Sequence, residues 1–112
     1  MRFDRLIPPI ALLTAACASS PDPSISQDPG IAHGYEMARQ YCASCHAIGT
    51  SGSSPHSGAI PFRKLSTLYP VDSIGESLVE GLMTGHPDMP EYQFSAEAAD
   101  DFIAYLESIQ QN

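Results

Sequence analysis

The feature that most constrains this chain is Cys42-Ala43-Ser44-Cys45-His46. Two thiols three positions apart lie within one turn of chain, and a histidine follows the second directly. A C-x-x-C-H run of this kind is the attachment pattern of c-type haem. Each thiol can add across one vinyl group of the porphyrin, and the next residue then lies beneath the iron. A histidine there can bind iron through Nε2 while its Nδ1–H donates to a backbone carbonyl. Competing uses of the same residues fare worse. A thioredoxin-like pair is expected inside a βαβ pattern, and no segment alternates with period two. A structural zinc site needs four ligands, whereas only the scattered His33, His56 and His86 remain. A plain disulfide leaves His46 without a purpose.

The iron has a sixth position, and Met89 is the best candidate for it. It stands in Gly85-His86-Pro87-Asp88-Met89-Pro90, between two helical stretches. The flanking prolines restrict the backbone that presents it. A thioether stabilises reduced iron, so His/Met ligation raises the potential. Met83 reads as a packing residue on the preceding helix, Met37 as packing on the first helix, and His33 as exposed. His86 and His56 are weaker candidates for the iron.

Three main helices are expected, giving an all-α fold. The first runs from Pro29 or Gly30 to Tyr41, with Asp28 as its cap and Pro29 at the first helical position. Ile31, Gly34, Ala38 and Tyr41 fall on one side. Residues 49–61 are rich in Gly, Ser and Pro and read as loop, and residues 62–69 are ambiguous between loop and one helical turn. The second helix is expected to start at Ser73, because Ser73 and Glu76 have capping-box spacing. Ile74, Leu78 and Leu82 form its buried stripe, and Gly85 is its C-cap. The third runs from Ser95 to about Gln110, with Phe94, Ala98, Phe102, Tyr105, Leu106 and Ile109 on its apolar face.

The N-terminus has a different character. Arg2 and Arg5 precede a short apolar run, Leu6 to Leu13, and small residues follow. Residues 1–16 therefore read as a secretory signal, too short for a spanning helix. Leu13-Thr14-Ala15-Ala16-Cys17 resembles a bacterial lipobox, which would make Cys17 the lipidated first residue. Cleavage after Ala18 and an uncleaved apolar anchor are the competing readings. The chain has three cysteines, and the odd one sits at this junction, which favours lipidation. Residues 17–29, rich in Ser, Pro and Asp, read as a flexible tether, and residues 30–112 as the folded domain. Localisation is then periplasmic or otherwise extracytoplasmic, on a membrane surface through lipid.

The net charge is −8, and becomes −9 once residues 1–16 are removed. An acidic surface excludes nucleic-acid binding, which needs clustered bases. It suits docking to a basic patch on a redox partner.

Residues 30–110 resemble a class I, monohaem cytochrome c domain of bacterial type. The helix leading into Cys42–His46, the late Met89-Pro90 and the aromatic C-terminal helix carry that resemblance. It implies a small fold around one haem c, covalently held through Cys42 and Cys45. It also implies that the first and last helices cross at Gly34 and Tyr105, and that the carbonyl of Pro61 accepts from His46. Arg63, Tyr69 and Tyr92 are candidates for propionate or haem-edge contacts. The expected role is one-electron transfer rather than catalysis, alone or as a subunit of an oxidoreductase complex. The alternative is a ligand-binding or peroxidase-like haem protein with a labile sixth ligand.

Overall fold

The computed structural model describes residues 27–81 and 87–111. The tether up to residue 26, Cys17, Leu82, Met83, Gly85 and His86 lie outside the described residues. Within them the chain forms α1 (Pro29–Tyr41), a 3-10 helix (Phe62–Thr67), α2 (Val71–Glu80) and α3 (Ala96–Ser108). No β-strand occurs among the described residues, so the fold is all-α.

α1 begins where its cap chemistry requires. The Asp28 carboxylate accepts from the amides of Gly30 (2.8 Å) and Ile31 (3.2 Å), two donors with no partner inside the helix. α3 begins in the same way, with the Ser95 hydroxyl accepting from the amide of Ala98 at 3.2 Å. α2 differs from expectation. It starts at Val71 behind Pro70, two residues ahead of Ser73, and no side chain caps it. Pro70 holds φ at −61°, and the buried Val71 joins Ile74 and Leu78 on the packed stripe. The Ser73 hydroxyl does not cap; it donates to the Pro70 carbonyl at 2.7 Å. α2 ends at Gly81 rather than Gly85. Gly81 has φ of +105°, a conformation that favours glycine.

α1 and α3 pack directly against each other, and α2 packs on α3. The first contact depends on Gly34. A Cβ there would run into the Asp101 carbonyl and come within 2.8 Å of the Tyr105 Cβ. Only a residue without a side chain permits that approach, so the expected Gly34–Tyr105 crossing is present. Tyr105 is fully buried at the crossing, with its ring against Tyr35 at 5.5 Å between centroids. His33, exposed as expected, bridges the same two helices through Asp101 at 2.7 Å. The core of α3 is Ala99, Phe102, Tyr105 and Leu106, with Ile109 just beyond the helix end. Met37 packs into this core.

Candidate haem-attachment site

The Cys42–His46 segment is a tight turn growing out of the end of α1. The amides of Cys42 and Ala43 both donate to the Ala38 carbonyl, at 2.9 and 3.0 Å. Those of Cys45 and His46 donate to the Cys42 carbonyl, at 3.1 and 2.9 Å. Both thiols are unpaired and half-buried. Burial, reinforced by the neighbouring Cys45, pushes the Cys42 thiol up to about 11, so it stays protonated at neutral pH.

His46 Nδ1 lies 2.7 Å from the carbonyl oxygen of Ile60. A carbonyl only accepts, so Nδ1 carries the proton and Nε2 keeps its lone pair free for a metal. The ring also packs on Phe62, 4.9 Å between centroids. The acceptor is therefore Ile60, not the expected Pro61. The physical reason is that the Pro61 carbonyl is already used, accepting from the amide of Lys64 (3.0 Å) to open the 3-10 helix. Pro61 acts one bond removed: a proline keeps the residue before it extended, which fixes the direction of the Ile60 carbonyl.

The loop before Ile60 is less free than its Gly/Ser/Pro composition suggests. The Ala47 amide donates to Ser54 Oγ (3.0 Å), and the His56 amide to the Cys45 carbonyl (3.1 Å). The Phe62 amide donates to the Ala47 carbonyl (2.9 Å), and the Tyr105 hydroxyl to the Ile48 carbonyl (2.5 Å). These bonds tie the loop to the motif and to α3. Gln110, which carries no recognisable signal in the sequence, braces the 3-10 helix from the far end. Its amide nitrogen donates to Phe62 O and its oxygen accepts from the Ser66 amide, both at 2.8 Å.

Met89 is half-buried on a turn at 87–89. On one side, Asp88 meets His56 Nε2 at 3.3 Å, linking the Met89 turn to the loop that carries Ile60. On the other, the chain is tied to the end of α2. The Phe94 amide donates to the Leu78 carbonyl (2.8 Å), and the Gln93 side chain to the Val79 carbonyl (3.0 Å). Tyr92 lies between these anchors and donates its hydroxyl to the Tyr41 carbonyl (2.9 Å). Its ring forms a cluster with Tyr41 and Phe94. Burial, with smaller contributions from Cys42 and Cys45, raises the Tyr92 hydroxyl pKa.

Arg63 Nη1 is buried with no hydrogen-bond partner. An unpaired guanidinium N–H is costly in such a place and calls for an anionic acceptor. At the end of the same 3-10 helix, Leu68 and Tyr69 are 61% and 54% exposed. Two free thiols, an imidazole with Nε2 open, a donor awaiting an anion and uncovered apolar side chains fit a haem with its carboxylate side chains.

The chain is 34% identical over 97 residues to cytochrome c-552 of Bradyrhizobium diazoefficiens, covering 87% of this chain and 89% of that protein. No family model matches the chain, and no solved structure matches it. That identity runs through nearly the whole of both proteins, and the residues themselves form a turn of two free thiols and a correctly oriented histidine. The chain belongs to the cytochrome c family.

Proposed function

We propose that the protein is a one-electron carrier holding one haem c through Cys42 and Cys45, with His46 and Met89 as the residues that would ligate its iron. The observation that carries this reading is the bond from His46 Nδ1 to Ile60, which leaves Nε2 as the free donor beside two unpaired thiols. Haem, when bound, supplies a reversible ferric/ferrous couple. The chain's residues do the rest. Cys42 and Cys45 would hold the haem as thioethers, S–H and vinyl C=C giving one C–S and one C–H bond each with no net redox change. His46 and Met89 would both ligate the iron, which would keep small molecules from it. Arg63 would pair with a propionate, and the Tyr41–Tyr92–Phe94 cluster would limit water near the attachment point.

Residues 1–16 act as an export signal, Cys17 as a lipid attachment point and residues 17–29 as a tether to the folded domain. The carrier then works outside the cytoplasm at a membrane surface. No helix among the described residues is long and apolar enough to cross a membrane. With a net charge of −9 once residues 1–16 are removed, the suited partner is a redox protein with a basic docking patch, not a nucleic acid.

Two measurements on the mature, haem-loaded protein test this. Intact mass is expected to report one haem and an acylated N-terminus at Cys17. A mass without haem would overturn the carrier role, and a free N-terminus at Ser19 would overturn lipidation. The ferric spectrum is expected to show the weak red-edge band of a sulfur–iron bond, lost in Met89→Ala. Its absence from the wild type would overturn the Met89 assignment and favour an open, ligand-binding iron.

A further inference from the structure

His56 belongs to the loop beneath the motif, yet its side chain turns outward to the Met89 turn. Its main chain is fixed, the amide donating to the Cys45 carbonyl at 3.1 Å and the carbonyl accepting from Ala59 at 3.0 Å. Its ring is oriented by a second bond: Nδ1 lies 3.1 Å from the Gly58 amide. An amide N–H only donates, so Nδ1 is the acceptor and the proton of the neutral ring sits on Nε2. Nε2 in turn lies 3.3 Å from Asp88 Oδ2, so the imidazole donates to the carboxylate directly before Met89.

We propose that His56 is a positioning residue for the sixth ligand. Held by Gly58 and Cys45, it latches Asp88 and so keeps the Met89 turn closed against the loop that orients His46. This rests on the reading of Met89 as an iron ligand. The latch does not touch iron; it sets how often the Met89 turn swings away. A ligand that can bind only the open form has its apparent affinity scaled by the open fraction. The pair is partly exposed, with side-chain exposures of 44% and 78%. Pairs of that kind change an equilibrium about two- to fivefold.

The test is an imidazole titration of the ferric, haem-loaded protein at pH 8, followed by loss of the sulfur–iron band. Imidazole is mostly uncharged there, so a changed surface charge does not bias its approach. His56→Ala and Asp88→Ala are each expected to raise imidazole affinity about two- to fivefold. The double variant is expected to match either single one, because each removes the same contact. His56→Gln keeps an N–H donor and is expected to recover part of the wild-type value. A residue with a merely structural role would lower the unfolding midpoint and leave the affinity unchanged. Affinities equal to wild type, or a double variant equal to the product of the two single effects, would overturn the latch alone. A wild type with no sulfur–iron band would overturn both the latch and the Met89 assignment.

Discussion

Tyr105 has no exposed surface, yet it carries a hydroxyl that must find an acceptor. It finds one in the Ile48 carbonyl, while its Cβ lies over Gly34 and its ring meets Tyr35. Burial, and secondarily Tyr35, raises its pKa to about 12, above the usual value of 10. The folded state therefore holds the phenolic proton more tightly than the unfolded chain. That contribution to stability is complete below pH 10 and is lost as the pH rises toward 12. Tyr105→Phe keeps the ring but strands the Ile48 carbonyl, so at pH 7 it is expected to cost about 1 kcal/mol. The gap between wild type and variant is expected to narrow above pH 10, because only the wild type has this proton to lose. Denaturant unfolding of the haem-loaded protein at a series of pH values checks both. The pairing of Gly34 with Tyr105 is legible through the resemblance to monohaem cytochrome c domains, which implies a crossing of the first and last helices at a glycine and an aromatic residue. The acceptor for the hydroxyl is not. Any backbone carbonyl looks the same in a sequence, and for the same reason Ile60 rather than Pro61 as the acceptor of the His46 hydrogen bond is not legible there.

At the scale of elements, legibility follows the capping chemistry. α1 and α3 start where Asp28 and Ser95 announce them, because a short polar side chain satisfies the first amides of the helix. α2 shows how that signal fails. Ser73 and Glu76 have the right spacing, but Pro70 starts the turn earlier and Ser73 uses its hydroxyl as a donor. The 49–61 loop is a loop as its composition says, yet its anchors at Cys45, Ala47, Ser54 and Ile48 are long-range and leave no local pattern. Gln110 belongs with these. It sits just past α3 and binds Phe62 O, Leu106 O and the Ser66 amide. It thereby fixes the 3-10 helix that follows Ile60 and contains Arg63. Gln110→Ala removes all three bonds and is expected to cost about 1–3 kcal/mol. Gln110→Glu keeps an acceptor for Ser66 but loses both donations, to Phe62 and Leu106, and sets a carboxylate against those two carbonyl oxygens, so it is expected to cost at least as much as Gln110→Ala. Thermal unfolding of the two variants gives the order. Equal midpoints for wild type and Gln110→Ala would mean that the 3-10 helix needs no brace.

For the whole molecule, the all-α class is legible because no stretch alternates with period two, while the way the helices enclose a site is not. The buried apolar side chains of the described residues form one small cluster, led by Phe62, Leu78, Phe102, Tyr105 and Leu106. A domain of this size is marginal on its own core. Tyr41, Leu68, Tyr69 and Val79 remain substantially exposed, and Arg63 Nη1 is buried without an acceptor. The net charge of −8 adds self-repulsion to the compact state. These features point one way: the described residues alone do not complete an interior. A covalently held, largely apolar group would cover the exposed rings and give Arg63 its anion, and it would be present in every folding attempt after attachment. Removing it should therefore do more than lower a midpoint. Cys42→Ala/Cys45→Ala made without haem is expected to keep helical far-ultraviolet dichroism, because the α1–α3 crossing at Gly34 needs no ligand. It is expected to lose near-ultraviolet signal and a sharp transition, because the aromatic groups are no longer packed on one side. The haem-loaded protein is expected to unfold in one cooperative step. A haem-free variant with an equally sharp transition would show that the cluster around Phe102 and Tyr105 suffices, and that the exposed rings and Arg63 have some other partner.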